Sequence, residues 1–300
     1  MSVYDVRERF RHLPQVLSGV EELPPDLLEL YKTKVQVKTE VNLLIYIPPQ
    51  RFLKRFIGSR FVPEQALLFK ENMVIQIQAK YEEKLEGTVK IIKAGDVSYI
   101  RMQLLLLYGK IDIFKSQNAN SNSEINGSKL ISIEYNTTSF HMIKTGLRDL
   151  IKNTWKERKN DKYVEKQLIN KNIESAEFKR LPFKVKSGMT YYALHPEEYI
   201  QNMIFQPEIR RFRIKLIPKT LITFTDRQII VLEDILSSPY GWIITYFQKS
   251  SNISFEVNRG NSIVSLLDMN FRKNEKLKKI QLRFEEENTY KFLEYWDTLK

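Results

Sequence analysis

Arg211, Arg213 and Lys215 alternate with Phe212, Ile214 and Leu216, and Arg210 and Lys219 flank them. In an extended strand that spacing sends the cations to one face and the apolar set to the other. Fork-shaped guanidinium groups pair with phosphate or carboxylate oxygens, so a cationic face of this kind suits an anionic ligand. Arg51, Lys54, Arg55 and Arg60 occupy the corresponding place in the first half of the chain. The same pattern also describes a solvated outer face of an edge strand, where positive charge deters edge-to-edge pairing. Both readings stay open on the sequence.

Other groups are weaker candidates. The run from Arg272 to Lys279 reads as a solvated turn before the last strand. Tyr240, Trp242, Tyr246 and Phe247 could stack nucleic-acid bases beside positive charge, but Trp242, Ile244 and Tyr246 alternate as a core-facing set. No GxSxG, P-loop, GxGxxG or HExxH pattern occurs. Glu82-Glu83 and Glu285-Glu286-Glu287 are adjacent acids of the kind that solvent covers. His141 falls on the outward face of an expected helix, and His195 in a Pro-containing loop, where both read as surface histidines. With no cysteine and three scattered histidines, thiolate chemistry and Cys-type zinc sites are excluded and a His-rich metal site is disfavoured. The expectation is a protein that is not an enzyme, with no cofactor and no metal.

The chain has 300 residues, 42% of them hydrophobic and 12% aromatic, enough to build cores and long enough for two domains. Its 48 basic against 36 acidic side chains leave +12, which permits an anionic partner without identifying one. The charged start Met1 to Phe10 carries no apolar export signal, and no apolar run approaches the ~20 residues of a spanning helix. A cytoplasmic location is expected, with peripheral attachment at the membrane as an extension of it.

The elements that must position these residues recur along the chain. Val62 to Ile75 aligns without a gap on Ile217 to Ile230, each an apolar run, a polar tip and a second apolar run, which predicts two equivalent hairpins. Upstream, Ile47 to Phe56 sits where Gln206 to Ile214 sits later. Further strands are expected over Thr88 to Ile92, Val97 to Leu107, Lys110 to Phe114 and Leu130 to Tyr135. The second half repeats the series over Gly241 to Gln248, Asn252 to Val257, Ile263 to Phe271 and the alternating Ile280, Leu282 and Phe284. Helical period then follows, with Phe140, Ile143, Leu147, Leu150 and Ile151 on one face of the first helix and Phe292, Leu293, Trp296 and Leu299 on that of the second. Ser139 and Asn288 are the expected N-caps. Gln117 to Ser128 reads as a polar loop.

The segment Lys219 to Leu232, with Thr225-Asp226-Arg227 at its tip, resembles the hairpin of bacterial pleckstrin-homology-like and GRAM-like domains. Leu194-His195-Pro196-Glu197-Glu198-Tyr199 is similar to the small-Pro-Gly-Glu lead-in of that family, with Glu197 in place of the glycine. The first half joins the resemblance only through the repeat, with Lys70-Glu71-Asn72 at its tip. The resemblance implies a mainly β (α+β) chain of two tandem bent antiparallel β-barrels, each closed by a C-terminal amphipathic helix. The expected divisions are 1–30 N-terminal arm, 31–155 first domain, 156–180 charged helical linker and 181–300 second domain. In that fold the basic strands belong to the first hairpin region, which in some members holds inositol phosphates. The functional expectation is a binding or scaffold module that docks a protein partner or an anionic surface through Arg210, Arg211, Arg213, Lys215, Arg51, Lys54 and Arg55. An enzyme with a site between the domains, or a nucleic-acid-binding protein, is the alternative.

Overall fold

The structure is a computed structural model, and it describes residues 13–35, 40–53, 59–80, 86–115, 129–154, 175–195, 198–211, 214–235, 240–248, 253–259, 265–273 and 276–298. The chain is mainly β, its paired strands antiparallel, and it divides into two compact units. The first takes Met1–Val97, Leu104–Ile113 and Leu130–Lys156; the second takes Ser98–Gln103, Phe114–Lys129 and Glu157–Lys300. Among the described residues no sheet closes on itself into a barrel.

In the first unit a sheet runs in the order Gln15–Leu17, Leu43–Ile47, Gln65–Lys70, Met73–Gln78 and Thr88–Lys93. Pro24 and Pro25 start the helix Pro25–Lys34, since proline at the first helical position forfeits only an N–H that has no helical partner. Leu23, Leu27 and Val35 from this segment pack with Leu44, Leu68, Ile75 and Ile77 of the sheet. The helix Phe140–Thr154 buries the expected face of Phe140, Ile143, Leu147, Leu150 and Ile151. Gly146 is there for closeness: a Cβ at that position would collide with the ring of Phe69. The cap differs from expectation. Asn136, not Ser139, accepts a hydrogen bond from Thr138 N at 3.0 Å, and a 3-10 turn Thr137–Ser139 leads into the helix.

In the second unit Ile200–Gln206, Thr220–Thr225, Gln228–Asp234 and Gly241–Gln248 pair in that order. A second ladder joins Ile253–Arg259, Ser265–Lys273 and Lys276–Phe284. Ile222, Phe224, Ile229, Val231 and Phe247 meet Leu282, Phe284, Phe292 and Trp296 in one core. Phe255 sets its ring against both Phe292 and Trp296, centroids 4.6 Å apart in each case. The terminal helix Glu286–Thr298 starts two residues before the expected cap. Asn288 instead donates from Nδ2 to Gln206 Oε1 at 2.9 Å.

The opposite face of this sheet is covered as well, by residues that the sequence assigns partly to a linker. Ser175 Oγ accepts from Phe178 N at 3.2 Å and starts the short helix Ala176–Arg180. A second short helix, Phe183–Ser187, follows, then a π-helical turn, Gly188–Ala193. Phe178, Leu181, Val185 and Met189 are buried. Met189 Sδ accepts from Thr223 Oγ1 at 3.9 Å, and a Cβ on Gly188 would lie 2.7 Å from the Trp242 ring. Coverage on both faces explains why Thr220–Thr225 is buried throughout instead of alternating.

The two hairpins share their register at a constant offset of 155 residues, from Gln65 to Thr220. Gln65 faces Gln78 as Thr220 faces Glu233, and Phe69 faces Val74 as Phe224 faces Ile229. The preceding strands agree: Ile47 faces Gln65 as Gln206 faces Thr220, and Leu43 faces Phe69 as Asn202 faces Phe224. Two expected segments differ in extent. The run Val97 to Leu107 ends as a strand at Leu105 and turns at Leu106-Leu107. The Arg272 to Lys279 cluster lies on two paired strand ends, with Arg272 facing Leu277 and Lys273 facing Lys276. Residues 117–128, 156–166 and Leu299 lie outside the described residues.

Candidate functional site

The basic stretch of the second half is a hairpin and not the single alternating strand that the sequence suggests. Ile209–Arg211 pairs with Ile214–Ile217, with Arg210 opposite Lys215 and Arg211 opposite Ile214. A register shift between Ile209 and Arg210 accompanies the change. Arg210 and Lys215 therefore hold one cross-strand pair of positions and Arg211 another. Arg210 and Arg211 are exposed, and Arg210 Nε donates to the Glu208 carboxylate. Arg213 lies outside the described residues, and of Lys215 only the backbone is described. The alternation fails as a guide because Arg211 pairs with Ile214, so the stretch is two paired strands and not one.

The first half carries a counterpart. Gln50–Leu53 pairs with Ser59–Val62, Arg51 facing Phe61 and Phe52 facing Arg60. Arg51 is exposed, while Phe52 packs edge-on against Tyr108 with centroids 5.1 Å apart. Lys54 and Arg55 lie outside the described residues. One cation was not foreseen: exposed Arg283, whose Nη1 donates to Leu216 O at 3.4 Å and so joins the basic hairpin of the second unit. Its signal was its outward place between Leu282 and Phe284.

At the tip of the hairpin Thr220–Asp234, Glu198 and Tyr199 meet Asp226 and Gln228. Thr225 Oγ1 accepts from Gln228 N at 2.9 Å and from Arg227 N at 3.2 Å, and donates to Gln228 O at 3.0 Å. Asp226 Oδ1 accepts from Tyr199 N at 2.9 Å, and Asp226 N donates to Tyr199 O at the same distance. Glu198 accepts from Gln228 Nε2 and from His195 N. The lead-in thus clasps the hairpin tip. Burial pushes the Glu198 carboxyl up to about 8, opposed by the His195 and Gln228 hydrogen bonds. His195 is not a surface histidine. It is 6% exposed, its ring 6.5 Å from that of Tyr246, whose hydroxyl donates to Ala193 O at 3.1 Å.

A further ion pair lies in this unit. Lys184 Nζ stands 2.5 Å from Asp234 Oδ1 and 4.6 Å from the centroid of the Trp242 ring. Trp242 and Tyr246 are buried, as the core-facing reading requires, while His141 is exposed. Arg210, Arg211 and Arg51 are the exposed cations described in the two basic hairpins. No helix among the described residues is long and apolar enough to cross a membrane. In comparisons with protein-family models and with curated proteins, the chain matches none of either.

Proposed function

We propose that this chain is a non-enzymatic binding module built from two pleckstrin-homology-like halves, which docks an anionic surface or acidic partner through its basic hairpins. The observation that carries the reading is the hairpin Ile209–Ile217, where Arg210 faces Lys215 beside exposed Arg211. Like charges placed directly opposite weaken strand pairing; Glu208 offsets Arg210 within the hairpin, and a ligand that supplies negative charge would offset the remaining cations. Arg283 and the counterpart at Arg51 add to it.

Three features support the tandem pleckstrin-homology-like reading. From Leu43 to Thr154, and again from Ile200 to Thr298, nine strands and then an amphipathic helix are described in the same order. The hairpins match in register. In the second half, Phe292 and Trp296 of the terminal helix are buried in the core, against Phe255. Retention of the full chain on immobilised heparin tests the docking. The variant Arg210→Glu, Arg211→Glu, Lys215→Glu should elute at clearly lower salt than wild type, with an unchanged melting temperature. Equal elution of the two, or no retention of wild type, contradicts the reading.

A further inference from the structure

The turn Leu106-Leu107 of the first unit carries two unfavourable features at once. Leu106 has φ 50°, the one positive φ of a non-glycine residue among the described residues. A side chain in that left-handed region is strained, and glycine or asparagine relieves the strain. Leu106 and Leu107 are also 69% and 63% exposed, so water meets two apolar side chains at the tip. A polar turn would remove both penalties. Backbone strain kept in a place that packing does not demand points to function.

The tip is held firmly. Thr137 N donates to Leu107 O at 3.1 Å and Thr137 Oγ1 donates to Leu106 O, so the 3-10 turn before the helix braces both carbonyls. Two residues on, a Cβ at Gly109 would lie 2.5 Å from the Tyr135 ring, so this strand is pressed onto a buried aromatic. Tyr108, next to Leu107, receives the edge of Phe52, whose neighbour Arg51 is exposed. The strand Gln50–Leu53, with exposed Arg51, is thereby tied to the strand that follows the leucine tip.

We propose that Leu106 and Leu107 form a tip that inserts into the interface of an anionic lipid bilayer, with Arg51 meeting the headgroups. Two leucines on a convex turn offer far less than the ~800 Å² that a standard protein interface takes from each partner. Shallow insertion needs no such area: a few apolar side chains and nearby basic charge suffice for reversible attachment. The proposal rests on the docking reading only for the contribution of charge. The inserted leucines are a separate site.

The full chain is tested on phosphatidylcholine vesicles that carry about one third phosphatidylserine. The variant Leu106→Gly, Leu107→Ser should bind them about tenfold or more weakly. It should keep wild-type elution from heparin and melt no lower than wild type, because glycine relieves the turn. The chain has no cysteine, so Leu107→Cys accepts a single polarity-sensitive fluorophore. On vesicles its emission should shift to the blue and be quenched by lipids with a nitroxide near the headgroup. Wild-type affinity of the double variant, or a label that stays in water on vesicles, overturns the proposal. Retention of wild type on heparin without vesicle binding overturns the lipid tip and leaves the docking reading standing. Failure on heparin with insertion on vesicles does the reverse.

Discussion

The hairpins Gln65–Gln78 and Thr220–Asp234 have the same pairing and different tips. In the second, Thr225 ties the turn by its hydroxyl, Asp226 links it to Tyr199, and Glu198 closes the cluster from below. In the first, Lys70 takes the position of Thr225. It is buried, its Nζ 5.9 Å from the centroid of the Tyr31 ring, and burial lowers its affinity for a proton. The turn there is joined onward instead, by Ala94 N donating to Asn72 O at 2.8 Å. Register is fixed by the long apolar runs, where a slip of one residue would turn every side chain to the wrong face. Tip chemistry carries no such constraint, so it diverges.

The comparison can be broken most forcefully at the terminal helices. Trp296→Ala should cost about 3–5 kcal/mol in urea unfolding if the helix is part of the core, as its contacts with Phe255 indicate. A loss under about 1 kcal/mol would make the helix peripheral and end the parallel with Phe140–Thr154.

The next effect separates the tips by pH. Glu198 has its carboxyl raised from 4.5 to about 8, so the native state holds a proton that the unfolded chain releases. Stability from this group is complete below 4.5 and is lost as pH rises toward 8, by at most about 1.4 kcal/mol per pH unit. Glu198→Gln should flatten that part of the pH–stability curve. Lys70 behaves oppositely: its proton affinity is lowered, so its burial becomes less costly as pH climbs toward 10.5. A Glu198→Gln curve that still falls between 4.5 and 8 would assign the slope to another group.

Smaller effects sharpen the picture. Thr225→Val should cost about 1–3 kcal/mol, because Gln228 N and Arg227 N both lose their acceptor. The reciprocal Lys70→Thr should fall within about 1 kcal/mol of wild type, since it gives up the contact with the Tyr31 ring along with a buried charge. Gly146→Ala gains about 1 kcal/mol of helix propensity and loses more to the Phe69 ring, for a net cost near 1 kcal/mol. Thermal melts of the three variants check these values.

How legible each feature was depended on how many residues enforced it. Gly241–Gln248 could be read to the residue, because the six consecutive positions Trp242 to Phe247 are all β-branched or aromatic. The helix face Phe140, Ile143, Leu147, Leu150 and Ile151 was equally plain, since it spans three turns. The buried segment from Phe178 to Met189 was missed because Pro182 cuts its period into pieces too short to show one. His195 was misplaced because a loop beside proline looks exposed in sequence, whereas here it clasps a hairpin. The turn at Leu106-Leu107 was invisible for the opposite reason: leucine is a strand residue, and nothing in its identity announces a positive φ.

The central claim is that exposed basic hairpins in both halves carry anion docking, and its most direct test is heparin affinity across a salt series. It needs wild type, Arg210→Glu/Arg211→Glu/Lys215→Glu, Arg51→Glu/Lys54→Glu/Arg55→Glu, and the combination of both sets. The account predicts a shallower salt dependence and weaker binding in each single set, with binding lost in the combination. Unchanged affinity and unchanged salt dependence in the combined variant would contradict it.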